Sequence, residues 1–205
     1  MKETLQEVMQ VIKLAEKLKY ELRHSWLSNG RRESVAEHTW RLSLMAMLIE
    51  PLMEEKLDTA KLLKMIIIHD LVEAEATDVP AFDTLENEQV KALKQAREQE
   101  AIDHLRDMLP RELGQEIHSL WMEFEEKETL EAKTANALDK LEAQIQHNEA
   151  SIDTWLPVEH GMSFMLGKHT DFHPVLKELK DMIEDEAEKK MMAAGIQTAV
   201  LKQGQ

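Results

Sequence analysis

The run Leu62 to Ile68 is apolar nearly all the way round a helix, and it leads directly into His69-Asp70-Leu71-Val72-Glu73. A helix with such a surface is buried on every side. His69 and Glu73 are four apart, and Asp70 and Glu73 three apart. If the helix continues, all three lie on one side in line with Ile66. Burying an Asp and a Glu there costs on the order of several kcal/mol each unless something compensates. No Lys or Arg occurs from Ile66 through Pro80. The fold must therefore bring positive charge to this helix from elsewhere, and a divalent cation is a natural candidate.

The rest of the chain reads as helices. Leu5, Val8, Met9, Ile12, Ala15, Leu18 and Leu22 form one stripe over Leu5–Leu22, before a loop at Ser28-Asn29-Gly30. Ser34-Val35-Ala36-Glu37 is a capping box that opens a helix from Val35 to about Ile49, stopped near Pro51, with His38 in its first turn. Asp58 caps a helix from Thr59 to about Ala76, closed by the loop Asp78-Val79-Pro80-Ala81. Further helices are expected at Leu85–Met108, Glu112–Lys127 (inner face Ile117, Leu120, Trp121, Phe124), Thr129–Ala150 and His173–Met192. No segment alternates convincingly with period two. With 6 Gly, 5 Pro and 4% aromatics in 205 residues, the expected fold class is all-α. The length suits one domain over residues 1–192 followed by a C-terminal tail, 193–205, with no clear core role.

Composition restricts the chemistry. Cysteine is absent, so disulfides and thiolate sites are excluded and any metal must use His, Asp or Glu. Lys and Arg number 25 against 40 Asp and Glu, a net charge of −15, which disfavours nucleic-acid polymers and anionic membranes. Val11–Arg41 runs against that balance, with seven basic and four acidic residues, and suits capture of a small anion. No apolar run approaches membrane-spanning length and the N-terminus carries acids early, so the expected compartment is the cytoplasm.

Two more ionisable residues occupy unusual places. Asp139 sits mid-helix beside Leu138, on the side marked by Ala135, Leu138 and Leu141, although Asp prefers caps and turns. His38 lies where the helix dipole disfavours imidazolium and favours the neutral, metal-binding ring. With His69 and Asp70 these make two imidazoles and two carboxylates from three helices. Four such ligands fill four positions of an octahedral first-row divalent ion and leave two open, as a catalytic site requires. His24, His104, His118, His147, His160, His169 and His173 lack this apolar context.

The ordered pattern His38, His69-Asp70, Asp139 resembles that of the HD-domain phosphohydrolases. Arg23, Glu33-Ser34-Val35-Ala36-Glu37-His38, His69-Asp70-x-x-Glu73, Asp78-Val79-Pro80, Leu109-Pro110-Arg111-Glu112-Leu113 and Leu120-Trp121-Met122-Glu123-Phe124-Glu125 are similar to the 5′-deoxynucleotidase branch. The likeness spans about Leu5 to Glu184. It implies a compact HD-domain helical bundle, usually a homodimer, that uses a divalent metal such as manganese, cobalt or zinc to release phosphate from deoxynucleoside 5′-monophosphates. It also implies that Arg23 orients the phosphate and that Asp78, Val79, Pro80 and Ala81 contact the sugar and base side. Two positions depart from the branch. His24 follows the arginine where bacterial members often carry Trp, and Ala81 replaces a frequently hydroxylated residue.

On this reading His38, His69, Asp70 and Asp139 are metal ligands and Glu73 orients or deprotonates the attacking water. Arg23 grips phosphate oxygens as a planar fork, Asp78 accepts from the sugar 3′-hydroxyl, and Asp70 is a candidate donor to the leaving 5′-oxygen. The rival readings are another HD phosphohydrolase, acting on phosphodiesters or nucleotide polyphosphates, and a catalytically silent nucleotide-binding or regulatory module.

Overall fold

A computed structural model describes residues 1–85 and 87–204. Glu86, within the expected helix Leu85–Met108, and Gln205, at the end of the expected tail, lie outside the described residues. The chain is almost wholly helical, and eleven α-helices and one two-stranded hairpin are described. Helix α1 is Lys2–Leu14, followed by a 3₁₀ segment Ala15–Lys19. Strands β1 (Leu22–Trp26) and β2 (Arg32–Ser34) come next, then α2 (Val35–Ile49), α3 (Thr59–Ile68), α4 (Glu73–Ala76) and α5 (Ala81–Leu85). The long helices α6 (Glu88–Met108), α7 (Arg111–Glu126) and α8 (Leu130–Glu149) follow. Short α9 (Pro157–Met162) and α10 (Gly167–Thr170) lead to α11 (Pro174–Ala193).

The helix starts follow the expected chemistry. The Ser34 hydroxyl accepts from the Glu37 N–H while the Glu37 carboxylate accepts from the Ser34 N–H. The Asp58 carboxylate takes the Lys61 N–H, Thr129 takes that of Ala132, and the His173 ring takes that of Val175. Each satisfies a backbone donor that the first turn leaves free.

Three expectations are corrected. The helix over Leu5–Leu22 ends at Leu14. Residues 22–26 instead pair antiparallel with 32–34 around a turn in which Gly30 takes φ +87°, a conformation glycine supplies without strain. Arg32 secures the pairing from its side chain, donating to the carbonyls of Arg23 and Leu22 at 2.8 and 2.9 Å. Leu5, Met9 and Ile12 consequently face solvent, 59%, 47% and 58% exposed, while Val8, Val11, Leu14 and Ala15 pack inward.

The helix from Thr59 ends at Ile68 rather than Ala76. The His69 carbonyl, which a continuing helix would offer to Glu73, instead accepts from Trp121 Nε1 at 3.1 Å. The Glu73 N–H turns to the Asp70 carbonyl and the Leu71 N–H to that of Ile68, both at 3.0 Å. This tighter i→i+3 pattern carries the chain through residues 69–72 into α4. Finally, Ile196 and Leu201 of the tail pack on Trp155, Phe164, Ala187 and Met191, and Thr198 donates to Glu188 at 2.9 Å. The tail is docked at least as far as Lys202, which bonds Glu188 at 2.6 Å.

The core has two main parts. One joins α2, α3, α8 and α11 through Leu42, Leu62, Ile66, Leu138, Leu141 and Leu176. The other joins α1, the 69–76 turn, α6 and α7 through Ile68, Leu71, Val72, Ile102, Leu105 and Trp121. His69 lies at the seam between them. No helix is long and apolar enough to cross a membrane among the described residues.

Candidate metal centre

Three segments deliver the four proposed ligands to that seam: α2 brings His38, the turn after α3 brings His69 and Asp70, and α8 brings Asp139. His38 is wholly buried, and His69 and Asp139 are nearly so. One ligand atom from each of these three lies within 4.8 Å of the other two. Asp139 Oδ1 is 3.1 Å from His38 Nε2 and 3.9 Å from His69 Nε2. Asp70 Oδ2 closes the group at 3.1 Å from His69 Nε2 and 3.7 Å from His38 Nε2.

The other ring nitrogens are already committed. His69 Nδ1–H donates to the Ile66 carbonyl at 2.7 Å, and His38 Nδ1–H to the Glu142 carboxylate. Such bonds fix the tautomer that frees Nε2 for a metal. Both Nε2 atoms are buried without a hydrogen bond. The surrounding acids overturn the expectation, drawn from the helix dipole, that the His38 ring is neutral before a metal binds. Burial and Arg23 push the His38 imidazole down, yet Glu142 and Asp139 override them and hold it up at about 9. Burial likewise opposes ionised Asp139 and Asp70. Lys140, His38 and His69 keep Asp139 well below the usual carboxylate range, and His69, His38 and Arg23 do the same for Asp70. The pocket demands net positive charge, and its N₂O₂ donor set fits a first-row divalent cation.

Arg23 projects from β1, not from a helix end, and its guanidinium reaches Asp70 Oδ2 at 3.4 Å and Glu33 Oε2 at 3.6 Å. Glu73 is buried, and its Oε2 has no hydrogen bond. Burial, reinforced by Asp70 and Asp78, pushes its carboxyl well above the usual value against the pull of Arg23 and Lys94. Asp78 is half-buried, and its N–H donates to Glu21 Oε1 at 3.1 Å. Its carboxyl is raised by burial against Arg23. Val79 and Pro80 are half-buried and Ala81 opens α5 in solvent.

Sequence reasoning missed Glu142. It is wholly buried between His38 and Arg41, whose Nε donates to it at 2.6 Å. Its signal was available: it stands three residues after Asp139 and so shares its side of α8. Glu33, 2% exposed, is a second missed acid. Burial and Glu142 push it up to about 7 despite Arg23.

Comparison with known proteins agrees with this geometry. The HD domain family model matches residues 15–180. The chain is 30% identical over 196 residues to the zebrafish (Danio rerio) protein 5′-deoxynucleotidase HDDC2, covering 95% of this chain and 94% of the relative. The human protein of the same name is 28% identical, with 91% and 89% covered. A crystal structure described as a predicted metal-dependent phosphohydrolase from Magnetospirillum magnetotacticum superposes with a TM-score of 0.80 at 28% identity, covering 95% of this chain and 98% of that one. A matching family model over most of the chain, an HD-type cluster of His and Asp at the seam, and full-length similarity to these relatives place the chain in the HD domain family, on its 5′-deoxynucleotidase branch.

Proposed function

We propose that this protein is a metal-dependent phosphomonoesterase that releases phosphate from nucleoside 5′-monophosphates, with deoxyribonucleotides preferred. The observation that carries the reading is the pair of buried, unbonded Nε2 atoms of His38 and His69 facing the carboxylates of Asp70 and Asp139.

These four residues would hold one divalent cation, with manganese, cobalt and zinc the candidates. When bound, that cation acidifies a water and offsets phosphate charge. Arg23 orients the phosphate through its planar fork, which suits paired oxygens. Glu73 is the proton carrier: a carboxyl held well above its usual value by burial takes a proton from water and returns it to the leaving 5′-oxygen. Asp70 also lies where it could serve that oxygen, but its neighbours favour its ionised form, which suits a ligand better than an acid. Asp78 accepts from the sugar 3′-hydroxyl, and Val79, Pro80 and Ala81 border the sugar and base. The partner is a small nucleotide rather than a polymer or a membrane, consistent with the net charge of −15. The exposed Trp40, Met47 and Leu48 of α2 support a homodimer, and a cysteine-free nucleotide hydrolase suits the cytoplasm.

The test is phosphate release from a panel of mono-, tri- and cyclic nucleotides with added manganese or cobalt. Monophosphates alone are expected to turn over. Asp70→Ala is expected to lose metal and turnover together, and Glu73→Ala to keep metal while losing turnover. Release only from triphosphates or diesters would replace this reading with another HD chemistry. No release from any substrate would leave a binding module.

A further inference from the structure

Asp139 uses its two carboxylate oxygens differently. Oδ1 faces His38 and His69, whereas Oδ2 accepts from Lys140 Nζ at 2.8 Å. The aspartate side chain is 8% exposed and the lysine side chain 39%. Lys140 therefore stands where the pocket opens to solvent, directly beside a ligand carboxylate. It is not alone there. His169, on α10, bonds Asn136 one turn before Lys140 on α8, with 3.1 Å between His169 Nδ1 and Asn136 Oδ1. Burial and then the ammonium groups of Lys140, Lys168 and Lys127 push that imidazole down to about 4. Lys140 is the ammonium in direct contact with the metal pocket, whereas Lys168 and Lys127 act on His169. Arg23 reaches the same pocket from β1, by way of Asp70.

We propose that Lys140 is a second phosphate-binding cation, facing Arg23 across the centre, and that it makes the site selective for a dianionic terminal phosphate over a monoanionic diester. The ammonium rests on Asp139 Oδ2 and turns to a phosphate oxygen when one arrives. Lysine suits this task because its three donors swing on a flexible stem. Two cations around one phosphate favour two negative charges, and a diester carries only one. The inference deepens the proposed phosphomonoesterase reading and rests on the same site.

The experiment uses the full chain loaded with manganese and follows Lys140→Gln and Lys140→Arg. Inorganic phosphate binding and manganese binding are each measured by calorimetry. Steady-state kinetics follow on a deoxynucleoside monophosphate and on bis-p-nitrophenyl phosphate. For Lys140→Gln the expectation is at least a tenfold weaker phosphate affinity and a matching rise in monoester KM. Manganese affinity should fall by much less than phosphate affinity, and any slow diester cleavage should lose less than monoester cleavage does. Lys140→Arg should recover most of the phosphate affinity. Unchanged phosphate binding in Lys140→Gln overturns the proposal. So does a loss of manganese affinity as large as the loss of phosphate affinity, which would make Lys140 a support for Asp139 alone. If the wild-type protein binds phosphate through Lys140 yet hydrolyses nothing, the phosphate site stands and the catalytic reading falls.

Discussion

Thr77 has φ +67° and ψ 152°, a region that only glycine occupies comfortably. It stands between α4 and Asp78, and its N–H still bonds the Glu73 carbonyl at 3.1 Å. Its side chain is exposed, so removing it opens no cavity. Backbone strain of this kind costs about 1–3 kcal/mol. Thr77→Gly relieves it, while the added freedom of glycine in the unfolded chain takes back about 0.5–1 kcal/mol. The net expectation is a gain near 1 kcal/mol, which raises the Tm of a chain this long by about 2–4 °C. Thr77→Ala retains a Cβ at positive φ and should gain much less. The assay is calorimetric melting of metal-free protein, with urea titration as a second measure. Kinetics supply a further readout, because the strained residue fixes where Asp78 is presented. Thr77→Gly should raise KM for the nucleotide. A melting temperature that falls in Thr77→Gly, or rises equally in Thr77→Ala, would refute the strain argument.

Glu142→Ala leaves the buried His38 Nδ1–H without its acceptor and takes from the Arg41 guanidinium one of its two carboxylates, Glu149 remaining. It should cost about 3–5 kcal/mol in urea unfolding and weaken metal binding about 10–100-fold by calorimetry. Adding manganese at a hundred times its dissociation constant should stabilise the fold by about 2.7 kcal/mol, visible as a rise in Tm that Asp139→Ala abolishes. Burial, with His24, His160 and Lys190, pushes the His147 imidazole down to about 3. The unfolded chain then binds more protons than the folded one below pH 6.5, so stability falls on acidification. Between pH 7.5 and 5 that single group should remove about 2 kcal/mol, and His147→Leu should flatten the slope of urea midpoints against pH.

Local chemistry was what the sequence made legible. Ser34, Asp58 and Thr129 declare helix starts because a short polar side chain at that place has one obvious use. His38, His69, Asp70 and Asp139 stood out because each was an ionisable group in an apolar or helix-disfavouring position, and the fold gathers them at one seam. What stayed hidden depended on distant partners. β1 was read as a helix end because its pairing with β2 lies across a turn and carries too few residues for a period-two signal. The break at His69 depends on Trp121, 52 residues away, capturing a carbonyl. Glu142 had the right spacing from Asp139, but only the packing of α2 against α8 shows which ring it holds. The outward face of α1 reflects a tertiary neighbour that no stripe of apolar residues can name.

The seam at His69 has a mechanical consequence. The two halves of the interior meet there, one reached through Ile66 and the other through Ile68 and Leu71. An ion held by His69 on one side and by Asp139 on the other would act as a rivet through both plates. Stripping it with a chelator would then do more than silence a reaction centre: the plates would be free to shear, and proteases should find the loosened joint before any helix has melted.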